Sequence, residues 1–89
     1  MDELTNLRLL ARTYLTEQSL AQLSDDKIDG IIIELQEIEG SASFEKPYRL
    51  GNISTTNIVD AKGHEVRRFN TNKRNARTKS LLLLALLNR

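Results

Sequence analysis

The sequence predicts an α+β fold in a single domain of 89 residues. Apolar residues recur at three- and four-residue steps through the first forty positions, a pattern typical of amphipathic helices. From residue 48 the pattern changes to short β-branched segments around a turn, followed by a leucine-rich stretch. We therefore expect an N-terminal antiparallel helical pair, a β-hairpin or small antiparallel sheet, and a C-terminal helix.

The first predicted helix starts at Asp2 and runs as far as Leu23, although its path beyond Ser19 is left open. Acidic residues at its start suit the positive end of the helix dipole. Its apolar positions fall on one face, which we expect to enter the core. These positions are Leu4, Leu7, Ala11, Tyr14 and Leu15.

The second predicted helix begins after Ser24, a good N-cap, and ends at Gly40 in the C′ position. Three β-branched residues at 31–33 weaken its helix propensity, but the spacing of its apolar stripe favours a helix over a strand. We expect a connection of about one or two residues between the helices, which makes them an antiparallel hairpin. The stripe contains Ile28, Ile31, Ile32, Leu35 and Ile38.

Residues 48–69 predict a β-hairpin. Strands are expected at 48–50, 53–59 and 65–69, with Phe44 entering the core from the preceding connection. Asp60 opens the turn and Gly63 supplies a left-handed position, as in a hairpin with a G1 bulge.

Residues 73–88 predict the last helix, capped by Thr71 or Asn72. Its second half, 81–87, is apolar on every side. A helix without a polar face has to be covered all round, so we expect it to pack across the hairpin and also to contact a partner or a second copy of the chain. The residues assigned to that oligomer or partner contact are Leu81, Leu82, Leu84, Leu86 and Leu87.

Charge divides the chain into two halves. Residues 1–60 carry eleven carboxylates and five cations, whereas residues 61–89 carry eight cations and one carboxylate, for a total of +1. Opposite fields of this kind either pair with each other or face two different partners, and the sequence leaves both alternatives open.

Each half contains one candidate binding surface. The acidic docking face is formed by Asp25, Asp26, Asp29, Glu34 and Glu37. The candidate partner- or phosphate-binding residues are Arg67, Arg68, Lys73, Arg74, Arg77 and Lys79. For the acidic face, a solvated helix surface is the favoured interpretation. For the basic residues, contact with an outside anion and pairing within the chain are weighed about equally.

No pattern indicates a catalytic residue, a metal site or a cofactor. Cysteine is absent, which removes disulfides and thiolate chemistry. His64, the one histidine, sits in a polar turn without a marked nucleophile, and no glycine-rich phosphate loop or calcium loop occurs. The run 81–87 is too short to cross a bilayer, and the acidic start does not resemble a secretion signal. We therefore expect a cytoplasmic, non-enzymatic protein without membrane contact.

Two stretches resemble small proteins encoded by tailed phages and prophages. One runs from Ser24 to Leu35, and the other is the Ile58-Val59-Asp60-Ala61-Lys62-Gly63 turn with the leucine-rich helix that follows. Lys62 stands where such proteins carry a second acid. The resemblance covers about half of the chain and implies a bacterial-cell context and a regulatory or counter-host role. It brings no catalytic residues.

Three functions follow from these patterns. The first is a phage- or prophage-encoded interaction protein that binds a bacterial host protein and modulates or inhibits it. The second is a nucleic-acid-binding regulator, dimeric through the leucine-rich helix, with residues 67–79 on phosphates. The third is a structural assembly protein.

Overall fold

The computed structural model describes residues 2–41, 43–51 and 56–89. Within these residues, three strands pair antiparallel in chain order, with the second strand between the other two, and the helices pack on one another. The predicted α+β class, with two N-terminal helices, a small antiparallel sheet and a C-terminal helix, is therefore confirmed. The elements are α1 (Glu3–Glu17), α2 (Asp25–Gly40), β1 (Arg49–Leu50), β2 (Asn57–Val59), β3 (Glu65–Arg68) and α3 (Ala76–Leu87).

Helix α1 is capped by Asp2, whose carboxylate accepts the N–H of Thr5 at 2.8 Å. The helix ends at Glu17 and does not continue to Leu23, because Ser19 adopts a left-handed conformation with φ of 57°. Of its predicted apolar face, Leu4 is 38% exposed and Tyr14 is partly buried. The positions that enter the core fully are Leu7, Ala11 and Leu15.

Helix α2 follows the sequence pattern closely. Ser24 caps it, accepting the N–H of Lys27, and all five predicted apolar positions are buried. Gly40 is the last helical residue with Ser41 as the C-cap, so its predicted C′ role is wrong. The connection from α1 spans residues 18–24 and is longer than expected.

The sheet contains the predicted hairpin. Asp60 and Gly63 form the turn, Gly63 has φ of 85°, and the register shifts between Ile58 and Val59. The predicted left-handed conformation of Gly63 is therefore confirmed, whereas the register shift leaves Val66 as the extra residue in β3 and is a separate irregularity that the sequence did not predict. The predicted strand positions 53–55 lie outside the described residues.

Helix α3 begins at Ala76 rather than at Lys73. Residues 70–75 form turns in which the N–H of Asn72 bonds the Asn70 side chain at 2.9 Å, and Asn75 precedes the helix with φ of 65°. The predicted caps at Thr71 and Asn72 are therefore wrong, because the backbone turns away from helical geometry before the helix starts.

Four leucines of α3 lie at the centre of the core against α1 and α2, namely Leu82, Leu83, Leu86 and Leu87. Leu82, Leu86 and Leu87 are fully buried by their own chain, so their predicted role in an oligomer or partner contact is wrong for this fold. Leu81 and Leu84 are half-buried at the edge of the core, and their role in such a contact stays a prediction. The helix thus obtains most of its cover within one molecule.

The end of the chain fastens α3 to the sheet. The side-chain amide of Asn88 accepts the N–H of Tyr48 and donates to its carbonyl oxygen, both at 2.8 Å. Arg89 pairs with Glu39 at 2.9 Å. These contacts attach the end of α3 to the residue before β1 and to α2.

Candidate binding cleft

Most of the predicted acidic docking face is paired within the molecule. Arg8 donates through two nitrogens to the Asp29 carboxylate at 2.6 Å, and Arg12 bonds Asp25. The hydrogen bond from Arg8 holds the pKa of Asp29 below its usual range. Arg8 precedes Arg12 along α1, whereas their partners occur in the reverse order along α2, since Asp29 follows Asp25. The two pairs therefore also confirm that the helices run antiparallel.

The other acidic residues of α2 are divided between paired and free. Glu34 pairs with Arg67 at 2.8 Å. Within the part of the chain that the structure describes, Asp26 and Glu37 make no ion pair. Three of the five residues of the predicted acidic face are therefore ion-paired with arginines from the same chain, and two are not.

Two of the predicted basic residues also have partners inside the chain. Besides its pair with Glu34, the Arg67 guanidinium lies 4.3 Å from the centre of the Phe69 ring, a cation–π contact. Arg68 pairs with Glu65 at 2.8 Å. The acidic and basic halves of the sequence thus touch through Arg67 and Glu34, and again through Arg89 and Glu39.

Four of the six predicted basic residues remain after these pairs are assigned. None of them forms an ion pair with another residue in the described ranges. They occupy the segment before α3 and its first turn, where the helix dipole does not favour positive charge. We call these residues the basic cluster: Lys73, Arg74, Arg77 and Lys79.

A cleft of about 580 Å³ separates α2 from the segment 67–79, and we call it the α2 cleft. Its floor is apolar and includes Ile31, Phe69 and Ala76. The side formed by α2 carries Asp26 and Glu34. In all, six cations and two carboxylates line it, so its charge is strongly positive. The cations are Lys27, Arg67, Arg68, Lys73, Arg74 and Lys79.

The fourth member of the basic cluster lies on the far side. Arg77 lines a separate shallow depression together with Asn75 and Thr78, and Lys73 belongs to both. The basic cluster therefore extends from the α2 cleft around the start of α3, and it forms a continuous surface rather than a single pocket.

The most deeply buried charge in the described chain belongs to Asp60, which the sequence placed at the start of the turn but not in a contact outside it. Its carboxylate accepts the backbone N–H groups of Glu45, Lys62 and His64 at 3.2, 3.0 and 2.8 Å. Burial raises the pKa of Asp60, but the three N–H groups outweigh it, so the pKa lies below its ordinary value. An aspartate at the start of a turn does signal local bonds to backbone, but not the bond to Glu45.

The surroundings of His64 and the positions of potential metal ligands bear on the chemistry of the described residues. The His64 side chain is exposed and its Nδ1 lies 3.8 Å from Asp60, which is committed to the turn. Across residues 2–41, 43–51 and 56–89, no three potential metal ligands converge. None of the described helices has the length and apolar character needed to cross a membrane.

A comparison with protein-family models, with curated proteins and with solved structures finds no match. The resemblance to small phage proteins accordingly stays a prediction.

Proposed function

We propose that this chain is a small non-enzymatic binding protein, encoded by a phage or prophage, that docks on an acidic surface of a bacterial host protein and modulates or inhibits it. The docking surface is the basic cluster with the adjoining α2 cleft. The observation that carries the proposal is the basic cluster, whose four cations form no ion pair within the described residues and three of which line a cleft with an apolar floor.

The charge distribution supports an outside partner. The chain has carboxylates enough to pair with these cations, yet Asp25, Asp29 and Glu34 pair with arginines from α1 and β3. Neighbouring like charges repel one another, and an acidic partner surface relieves this repulsion on binding. The basic cluster is therefore arranged for an anion that the chain does not itself provide.

The composition of the α2 cleft supports the proposal that the partner is a protein. Protein interfaces combine an apolar centre with a polar and charged rim, and the cleft has this composition. A nucleic-acid backbone brings phosphates at every step, and these would approach Asp26 on the opposite wall. A folded protein can place an apolar side chain on the floor and carboxylates against the basic wall.

Site-specific crosslinking in bacterial cells tests the proposal. A photoreactive residue is placed at Thr71, which is exposed beside the basic cluster, or at Thr13, which is exposed on α1. We expect a defined host-protein adduct from position 71 and none from position 13, with the crosslinked site on an acidic surface of the host protein. Adducts from position 13 alone, or no adduct from position 71, would contradict the proposal.

A nucleic-acid-binding regulator is the second candidate, because four unpaired cations are also a footprint for phosphates. Fluorescence anisotropy with duplex DNA, single-stranded DNA and RNA, across roughly 50 to 300 mM salt, decides between the two. Micromolar binding with a steep salt dependence would place this function first. The absence of binding at low salt would remove it.

A further inference from the structure

Gly30 occupies the middle of α2 although the fold gives it no reason to be glycine. A glycine in a helix interior is less stable than alanine because it has more freedom to lose on folding. A Cβ built at this position has no atom within 4 Å, and its φ is not in the left-handed region. Neither a close approach within the chain nor a special backbone conformation therefore explains the residue.

Its position relates it to the α2 cleft. Gly30 lines the cleft, one turn after Asp26 and one turn before Glu34 on the same face of the helix. The missing side chain leaves a notch between two carboxylates, beside the apolar floor at Ile31. Glycine is the residue that allows another molecule to approach a backbone closely.

The walls of the α2 cleft define what fits there. Cations outnumber carboxylates, Glu34 is already paired with Arg67, and Lys73 and Arg74 have no ion pair among the described residues. The volume of about 580 Å³ lies within the range of pockets that bind small ligands and is large enough to admit a large apolar side chain. Charge complementarity thus favours an acidic occupant, and the apolar floor of the α2 cleft favours an apolar group on that occupant.

We infer that the α2 cleft binds an acidic peptide segment of a partner protein, with a large apolar side chain against Gly30 and flanking carboxylates toward Lys73 and Arg74. This inference rests on the proposed function and specifies the part of the partner that is recognised. Gly30 is then a specificity-determining residue, since any side chain there occupies the space of the apolar anchor.

A peptide selection supplies the probe. The folded full-length chain is immobilised and used to select from a displayed library of random 12-residue peptides. We expect the enriched peptides to carry Asp or Glu on either side of Leu, Ile or Phe. Selected peptides are then synthesised, and their dissociation constants are measured for the wild-type chain and for its variants.

The decisive variant is Gly30→Gln, with Gly40→Gln as its matched control. Both glycines belong to α2 and both have open space around a built Cβ, but only Gly30 lines the α2 cleft. Glutamine is a better helix former than glycine, so Gly30→Gln is expected to raise the Tm. It is expected to weaken peptide binding by about tenfold or more because it fills the space of the anchor. Gly40→Gln is expected to leave the affinity unchanged.

Three results would overturn the inference. These are equal peptide affinity for Gly30→Gln and wild type, enrichment of basic peptides, and no enrichment over the starting library. If Lys73→Glu with Arg74→Glu abolishes binding while Gly30→Gln does not, the basic cluster remains the docking surface and only the assignment to the cleft fails. If Gly30→Gln instead weakens binding of duplex DNA, the occupant is a nucleic acid and the inference is wrong.

Discussion

Asp60 illustrates how a single buried carboxylate organises this fold. It joins three separated backbone N–H groups, two within the hairpin turn and one in the connection before β1. A turn aspartate often bonds the backbone two residues on, but here the side chain also fastens the turn to Glu45. The sequence marks the turn at this residue, and only the three-dimensional structure marks the second attachment.

The lowered pKa of Asp60 leads to a prediction about pH. A carboxyl whose pKa is lower in the folded than in the unfolded chain stabilises the fold above its unfolded value, and this contribution is lost as the pH falls through the folded pKa. We therefore expect Asp60→Asn to lower the Tm by several degrees at pH 7. The difference from wild type should narrow below about pH 4.

Thermal unfolding followed by circular dichroism at pH 7 and pH 3 measures this difference. Asp26→Asn is the matched control, because Asp26 is exposed and makes no ion pair with any other described residue. A difference between wild type and Asp60→Asn that is equally large at both pH values would show that the carboxylate charge is not what holds the turn.

At the residue scale, sequence periodicity correctly predicted which residues of α2 are buried, because burial along a helix follows from local helix geometry. The four isoleucines of the predicted stripe of α2 are buried as expected, because a 3.6-residue period places them on one face, whereas Ile33 lies off that face and is exposed. The pairing of Asn88 with Tyr48 could not be predicted in this way. It joins positions forty residues apart, and nothing in either neighbourhood specifies the other.

At the scale of elements, the helix ends show how far the structure could be predicted from the sequence. Ser24 was correctly predicted as a cap because its partner is three residues away. Ser19 and Asn75 take left-handed conformations, which non-glycine residues adopt when the surrounding structure holds them there. The path of α1 beyond Ser19, which the sequence left open, is therefore not helical, and the predicted start of α3 at Lys73 was wrong for the same reason.

Helix α3 gives the clearest prediction at this scale. Leu86 is fully buried among the three helices, so Leu86→Ala removes packing from the centre of the core. We expect it to lower the free energy of unfolding by about 2–5 kcal/mol. Leu9→Ala on α1 is the control, since Leu9 is 54% exposed and its loss should change stability by less than about 0.5 kcal/mol.

Chemical denaturation of both variants measures these energies. The result also separates two roles for the leucine-rich segment. Substitution of a core residue lowers the free energy of unfolding at any protein concentration. Substitution of a residue in a contact between copies gives a loss of stability that depends on protein concentration. If Leu86→Ala unfolds at the same denaturant concentration as wild type, the assignment of α3 to the core is wrong.

For the whole molecule, the division of charge in the sequence has two outcomes. Arg67 and Arg89 from the basic half pair with Glu34 and Glu39 from the acidic half, which helps to hold β3 and the chain end against α2. The basic cluster has no such pair within the described residues. From the sequence alone, two interpretations of the basic residues were about equally favoured: pairing with carboxylates of the same chain and binding of an outside partner. A sequence does not show which cations face which carboxylates.

The central claim is that the basic cluster, and not positive charge in general, binds the partner. The direct measurement is the dissociation constant of the host protein crosslinked at position 71, for Lys73→Glu with Arg74→Glu and for Lys46→Glu with Arg49→Glu. Both double variants make the same change of formal charge at exposed sites, but Arg49 lies in β1, at the opposite edge of the sheet from β3.

We expect the change at 73 and 74 to weaken binding by about tenfold or more at 150 mM salt, and the change at 46 and 49 to weaken it by less than about twofold. Equal losses in the two variants would mean that overall charge attracts the partner without a defined site. No loss in the first variant would contradict the account.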